Sequence, residues 1–177
     1  MKKIILLLAI TMASLNTKAQ GTGTEDLFKI NLTLKPGFGV EKKIGDKSTM
    51  DLSLKTYWSI EDTEAYIRPS IYLGYRYYYN ILMRESKGKD TKGNSASFVT
   101  AEIGYIHKNI TSNKYWNDIN PYGIDCNIMW GIRRTFNWFY LEGQIGVGKT
   151  WWHDKQYEHA GTKAIDWRGD IIIGFLL

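Results

Sequence analysis

The residues of this chain most able to act as a catalytic base or a metal ligand near neutral pH are three histidines, His107, His153 and His159. A hydrolase would need a nucleophile held against such a base, and a third group that orients the base. A His-x-Ser pair on one strand would supply the first two groups, but His107 is followed by Lys108 and Asn109. The sequence therefore predicts no catalytic residues and no enzymatic activity.

A metal or phosphate site is not predicted either. His153 and His159 stand six positions apart, beside Asp154 and Glu158, in a polar stretch between two strand patterns. Two imidazoles at that spacing in a loop fall short of the ligand sets that hold zinc. The glycine-rich stretch 143–148 keeps the alternation of a strand, whereas a phosphate-binding loop would open a helix. We therefore predict no metal and no cofactor.

The charge of the chain argues against a nucleic-acid partner. It has 23 lysines and arginines against 18 acidic residues, and three of the lysines lie in residues 1–19, which hold no acid. The rest of the chain is close to neutral, with basic and acidic residues interleaved. One basic stretch, residues 80–95, could dock an envelope partner or an anionic surface, although we expect it to be a solvated turn.

Residues 1–19 have the three parts of a secretory signal. Two lysines precede an apolar stretch, and residues 17–19 form a small-residue cleavage site before Gln20. The apolar stretch is about half the ~20 residues that a spanning helix needs. We therefore predict a signal peptide at 1–19 and one exported domain at 20–177.

The elements that must position any functional side chain are β-strands, because two kinds of side chain alternate along most of the chain. From Tyr66 to Tyr79, charged or small residues alternate with apolar and aromatic ones, and successive strand side chains point to opposite faces of a sheet. The same pattern predicts eight strands, at about 27–34, 37–44, 48–58, 66–79, 96–108, 121–134, 138–152 and 166–177. The turn at Pro36 leaves open whether residues 27–44 form one strand or two.

Eight such strands behind an export signal predict an all-β fold, an eight-stranded antiparallel transmembrane β-barrel in the outer membrane of a bacterial cell. Bacterial single-chain barrels have an even strand count, which favours eight over seven. Aromatic residues make up 14% of the chain, a share typical of proteins whose aromatic girdles meet lipid headgroups. The expected partners are outer-membrane lipid and, during assembly, the barrel-insertion machinery.

Glycine indicates which face of the strands looks inward. Nearly all strand glycines share the parity of the charged residues, and inside an eight-stranded barrel small residues make room for large ones. The charged face is therefore predicted to fill the lumen. Buried charge is costly unless it is paired, so we predict an ion-pair network there. Its members are Arg68, Arg76, Glu102, Asp125, Arg133 and Glu142.

Three stretches of the sequence carry a family resemblance. They are Pro36-Gly37-Phe38-Gly39-Val40-Glu41-Lys42-Lys43-Ile44, Arg76-Tyr77-Tyr78-Tyr79-Asn80 with the basic and polar positions that follow it to Ser95, and Gly131-Ile132-Arg133-Arg134. With them, the chain resembles a family of small, mostly uncharacterised outer-membrane barrels common in Bacteroidota. The resemblance covers essentially all of residues 20–177 and implies fold and location. It implies no catalytic residue, cofactor or substrate.

Taken with the composition, these patterns predict a non-enzymatic outer-membrane barrel with a structural or interaction role in the cell envelope. Two alternatives stay open. A lipid-modifying enzyme would need a nucleophile and a base together at the outer rim. A small pore or ligand-binding barrel would need a water path through the lumen.

Overall fold

The computed structural model describes residues 23–33, 35–61, 64–108, 110, 122–153 and 165–177. Within these residues the chain forms β1 (Leu27–Asn31), β2 (Gly37–Gly45), β3 (Ser48–Glu61), β4 (Glu64–Tyr77), β5 (Ser97–Ile106), β6 (Gly123–Phe136), β7 (Phe139–Trp152) and β8 (Asp166–Leu176). Each strand pairs with the next, and β8 pairs with β1, so the sheet closes into an antiparallel barrel. The predicted eight-stranded antiparallel β-barrel is confirmed.

Residues 27–44 form two strands, and Pro36 and Gly37 explain the break. Proline has no N–H to donate to a strand ladder. A Cβ on Gly37 would lie 2.0 Å from the backbone oxygen of Leu54, so only glycine lets β2 begin this close to β3. The first strand ends at Asn31, three residues earlier than the alternation predicted.

The seam between the first and last strands closes the barrel. Lys29–Asn31 on β1 pair with Gly174–Leu176 on β8. A backbone hydrogen bond from Leu177 N to Phe28 O, at 3.0 Å, continues the ladder. Closure leaves the sheet without an open edge of unpaired backbone groups.

The two faces of the strands separate as the alternation predicted. On β4, Tyr72 and Arg76 are buried at 2% exposure each, whereas Leu73 and Tyr75 on the opposite face are 47% and 42% exposed. The polar set therefore lines the lumen, and the apolar set forms the outer surface.

Inward glycines make room for inward aromatic rings. At three places a glycine faces a ring on the neighbouring strand, and a Cβ there would lie only 2.3–2.6 Å from a ring atom. The pairs are Gly104 with Tyr72, Gly131 with Phe98, and Gly174 with Tyr140. The small residues on the charged face thus allow large side chains to fill the interior.

One end of the barrel is plugged by the connection between β4 and β5, residues 78–96, which we call the plug segment. It contains a short helix, α1 (Ile81–Ser86), and a 3-10 turn (Lys92–Asn94). Tyr78, Ile81 and Ala96 are fully buried against Phe98. We call this end, which also holds the turns after β2 and β6, the plugged end, and the opposite end the cavity end.

The prediction of a solvated turn at 80–95 is wrong for part of the plug segment, because some of its residues are buried in the barrel. Its lysines are exposed, as expected, but Asn94 has 0% exposure and Ser95 has 2%. Glu25, which precedes β1, makes two hydrogen bonds to the plug segment. Its backbone N–H donates to Asn94 Oδ1 at 2.8 Å, and its carboxylate accepts from Gly93 N. The connection is long because it must fold back into the mouth of the barrel.

Gly93 offers a test of this packing. Its φ is +61°, and an added Cβ would lie 2.4 Å from Leu176 Cδ1 and 2.7 Å from Thr135 Oγ1. Gly88 is a matched control, because its φ is +65° and an added Cβ would meet nothing within 4 Å. We expect Gly93→Ala to lower the free energy of unfolding by about 1–3 kcal/mol more than Gly88→Ala. Equal losses in urea titrations of the two variants would show that the segment does not plug the barrel.

Among the described residues, no helix is long and apolar enough to cross a membrane. The predicted signal peptide, residues 1–19, and His159 lie outside the described residues.

Candidate functional site

The carboxylate of Glu41 lies at the centre of an ion cluster near the plugged end. It has 0% exposure, and side chains from several strands and the plug segment donate hydrogen bonds to it. The donors are Lys29 Nζ (2.9 Å), Thr49 Oγ1 (2.9 Å), Tyr78 Oη (2.5 Å), Asn94 Nδ2 (2.8 Å) and Arg133 Nη1 (3.0 Å). Burial raises the pKa of the Tyr78 phenol well above its usual value, so the phenol donates as a neutral group. These bonds compensate the cost of burying the charge.

Two buried arginines extend the cluster from Glu41 to Glu142 on β7. Arg133 donates from Nε to Glu142 Oε2 at 2.6 Å, and therefore bridges the two carboxylates. Arg76 donates from Nη1 to both oxygens of Glu142, at 3.1 and 3.0 Å. The Arg133 guanidinium also lies 5.2 Å from the ring centroid of Tyr140. Charge-assisted bonds at these distances hold β2, β4, β6 and β7 together across the lumen.

The structure brings four of the six predicted lumen residues into this cluster. They are Arg76, Glu102, Arg133 and Glu142. Glu102 joins through an ion pair of 3.8 Å between its Oε1 and Arg76 Nη2. Asp125 is buried nearer the cavity end, and Arg68 is half-buried, with its guanidinium 5.3 Å from the ring centroid of Trp152.

The predicted network omitted several residues on which the cluster depends. Lys29, Glu41 and Asp51 share the inward parity of their strands, so the alternation does place them on the face predicted to fill the lumen, although the six-residue network does not name them. Tyr78 continues the inward parity of the strand predicted at 66–79, whereas Asn94 lies in the plug segment, where no periodic pattern indicates which side chains turn inward.

Towards the cavity end the lumen is less completely filled. A cavity of about 90 Å³ remains between the strands. Its lining is Lys35, Lys55, Tyr57, Tyr72, Glu102, Asp125, Asn127, Met129, Arg168, Gly169 and Asp170. Asp125 is the best-bonded carboxylate here, because it accepts from Tyr72 Oη at 3.1 Å, Asn127 Nδ2 at 2.7 Å and Thr150 Oγ1 at 2.8 Å. The lumen is therefore filled near the plugged end and contains a cavity nearer the opposite end.

Two histidines lie on the rim and contact aromatic rings. The His153 ring stacks on Tyr122 with the centroids 4.4 Å apart, and His107 meets Tyr105 edge-on at 6.2 Å. In the described part of the chain, no group of three His, Cys, Asp or Glu side chains is placed to hold a metal ion. The structure thus places these imidazoles in the aromatic surface of the rim.

The outer surface carries a band of aliphatic side chains between two zones of aromatic ones. Along β7 the outward apolar residues run from Phe139 through Leu141, Ile145 and Val147 to Trp151, and the outward Lys149 lies beside Trp151, with its Nζ 5.3 Å from the ring centroid. The outward face of β8 repeats the order, with Trp167 at one end, Ile171 and Ile173 in the middle, and Phe175 at the other. This order is the one that lipid tails and headgroups require of a protein surface.

The aromatic zone at the plugged end is tightly packed. Trp138 stacks on Phe175 with ring centroids 5.1 Å apart, and Phe136 stacks on Phe139 at the same distance. Trp130 Nε1 donates to the Tyr79 hydroxyl at 2.9 Å. Indole and phenol groups with apolar bodies and satisfied polar atoms suit the boundary between hydrocarbon and headgroups.

The chain matches no protein-family model, no curated protein and no solved structure.

Proposed function

We propose that this chain is a non-enzymatic β-barrel protein of the bacterial outer membrane, with a structural or interaction role in the cell envelope. The observation that carries the proposal is the outer surface. Large apolar side chains such as Leu73, Ile128 and Ile171 are 47%, 62% and 76% exposed, whereas most charged side chains of the strands, such as Arg76, Arg133 and Glu142, are buried in the lumen. A protein in water would reverse this arrangement, because exposed apolar surface costs about 25 cal/mol per Å².

Several strands are long enough for the proposed location. β3, β4, β6 and β7 each have 14 residues, and a tilted transmembrane strand needs about 9–11. Closure supports the same proposal, because lipid offers no hydrogen bonds to an open sheet edge. The predicted leader would supply export, and lipid and the insertion machinery would be the partners.

A structural or interaction role is favoured over a pore by the plugged end. The side chains of Glu41, Arg133 and Glu142 are 0–1% exposed and bonded to one another across the lumen. The plug segment covers them, since Asn94 donates to Glu41 and Arg133 donates to Gly93 O at 3.4 Å. Ions would have to break several buried ion pairs to pass, which is energetically unfavourable.

The experiment follows the protein in a bacterial host that has an outer membrane. We expect the protein in the outer-membrane fraction, with a gel mobility that changes on boiling because a closed barrel resists detergent. In planar lipid bilayers the purified protein should give no steady conductance, while a porin in the same bilayers gives open channels. Recovery in the soluble periplasmic fraction would contradict the membrane location, and ohmic channels would contradict the closed lumen.

A further inference from the structure

The lining of the 90 Å³ cavity differs from the ion cluster beneath it in how well its charges are paired. The ion pairs of the cavity are long: Lys35 to Asp170 at 3.3 Å, Lys55 to Glu102 at 3.4 Å and Arg168 to Asp125 at 3.4 Å. In the cluster, Lys29, Arg76 and Arg133 reach Glu41 or Glu142 at 2.6–3.0 Å, while the Arg76–Glu102 pair at its edge is longer, at 3.8 Å. Charge-assisted hydrogen bonds are normally 2.7–2.9 Å, so the cavity cations keep unused donor capacity.

Two buried oxygen atoms in the same lining have no hydrogen-bond partner within the protein. They are Glu102 Oε1 and Asn127 Oδ1, on side chains of residues only 5% and 7% exposed. Arg76 Nη2 lies 3.8 Å from that Glu102 oxygen, beyond hydrogen-bond distance. On the donor side, Arg168 Nε is buried and unpartnered as well. Buried polar groups are almost always bonded, so this lining has both acceptors and donors to offer a ligand.

The cavity has one closed side and a balanced charge. The ion cluster and the plug segment close it on the side of the plugged end. Lys35, Lys55 and Arg168 match Glu102, Asp125 and Asp170 in number. A ligand with a single charge would therefore leave this half-buried site with an excess of one sign, which is less favourable than a balanced charge.

We propose that this cavity binds a small zwitterion of amino-acid size. Its anionic group contacts Lys35, Lys55 and Arg168, and its ammonium group contacts Glu102 and Asn127. Larger ligands are excluded by size, because pockets for drug-sized molecules measure about 300–1,000 Å³. Ligand binding goes beyond the proposed envelope role, which does not depend on it.

The direct test titrates the full chain, folded in detergent micelles, with glycine and follows binding by saturation-transfer NMR. Acetate and methylammonium serve as probes that carry only one of the two charges, and glycerol as an uncharged probe. We expect saturable glycine binding on the order of tenfold tighter than that of any other probe, because only glycine bonds both charge sets. No saturable signal, or acetate binding as tightly as glycine, would overturn the proposal.

Variants locate the site. Arg168→Gln and Lys35→Gln each remove one cation from the lining, and both side chains are partly exposed, at 32% and 28%. Folding should survive Arg168→Gln, because Asp125 keeps three other donors. Lys43→Gln is the matched control, because Lys43 forms a 3.2 Å ion pair with Asp46 at the plugged end.

Each cavity variant should weaken glycine binding by about tenfold, and the control should bind as the unchanged protein does. Heat-modifiable gel mobility confirms that each variant is folded. If both folded cavity variants bind glycine with unchanged affinity, the cavity is not the site and the proposal is wrong.

Discussion

Replacement of Arg133 by methionine is expected to lower the free energy of unfolding by about 3–5 kcal/mol. Arg133 has 0% exposure and holds Glu41 at 3.0 Å and Glu142 at 2.6 Å. Methionine fills much of the same volume but leaves two buried carboxylates short of a cation. The measurement is a urea titration in detergent micelles or vesicles, with folded and unfolded fractions read from gel mobility.

The matched control is the neighbouring residue. Arg134 lies on the same strand with its side chain on the outer face, and it donates to the backbone oxygen of Arg133 at 2.6 Å. Arg134→Met removes the same charge from a half-buried position outside the lumen, so its cost should stay below about 1 kcal/mol. Equal losses in the two variants would count against a buried network as the basis of barrel stability.

Replacement of Ile173 by lysine is the second change with a large expected effect. Ile173 is in the middle of the outward face of β8 and 46% exposed. If that face meets lipid, a lysine near the bilayer midplane costs about 2–4 kcal/mol. We expect less folded protein in the outer membrane and a lower unfolding midpoint for the protein that does assemble.

Trp167→Lys on the same face of the same strand is the control for Ile173→Lys. Trp167 is 81% exposed at the cavity end of β8, where a lysine should reach the headgroups and cost about 0–1 kcal/mol. A similar loss from both lysines would show that the cost does not depend on depth, and the lipid-facing assignment of β8 would fail.

The two predictions separate the forces that hold this molecule together. Arg133→Met tests how much the buried ion pairs of the interior contribute to stability. Ile173→Lys tests whether the apolar outer face of β8 meets lipid. A soluble barrel with a polar core would respond to the first change but not to the second in a depth-dependent way. A lipid-facing barrel that is held only by its outer surface would respond to the second alone.

Alternation along the sequence by itself determined the strands and their faces. It placed β7 at 138–152, and the structure has it at Phe139–Trp152. On β8 the same parity puts Ile172 on the charged face with Asp170, and Ile172 is 5% exposed. Such accuracy is possible because the two-residue period is a local property, set by the geometry of an extended chain. Strand ends were less exact, since turns such as the one at Pro36 depend on contacts with neighbouring strands.

Only the tertiary structure decided which inward residues meet. Arg133 and Glu41 are 92 positions apart, and their contact depends on the stagger of β2 against β6 around a closed barrel. The plug segment beyond Tyr79 could not be predicted from the pattern either, because its buried residues Ile81 and Asn94 follow no strand or long-helix period. Contacts across a lumen arise from closure of the whole sheet, so no local stretch of the chain contains them.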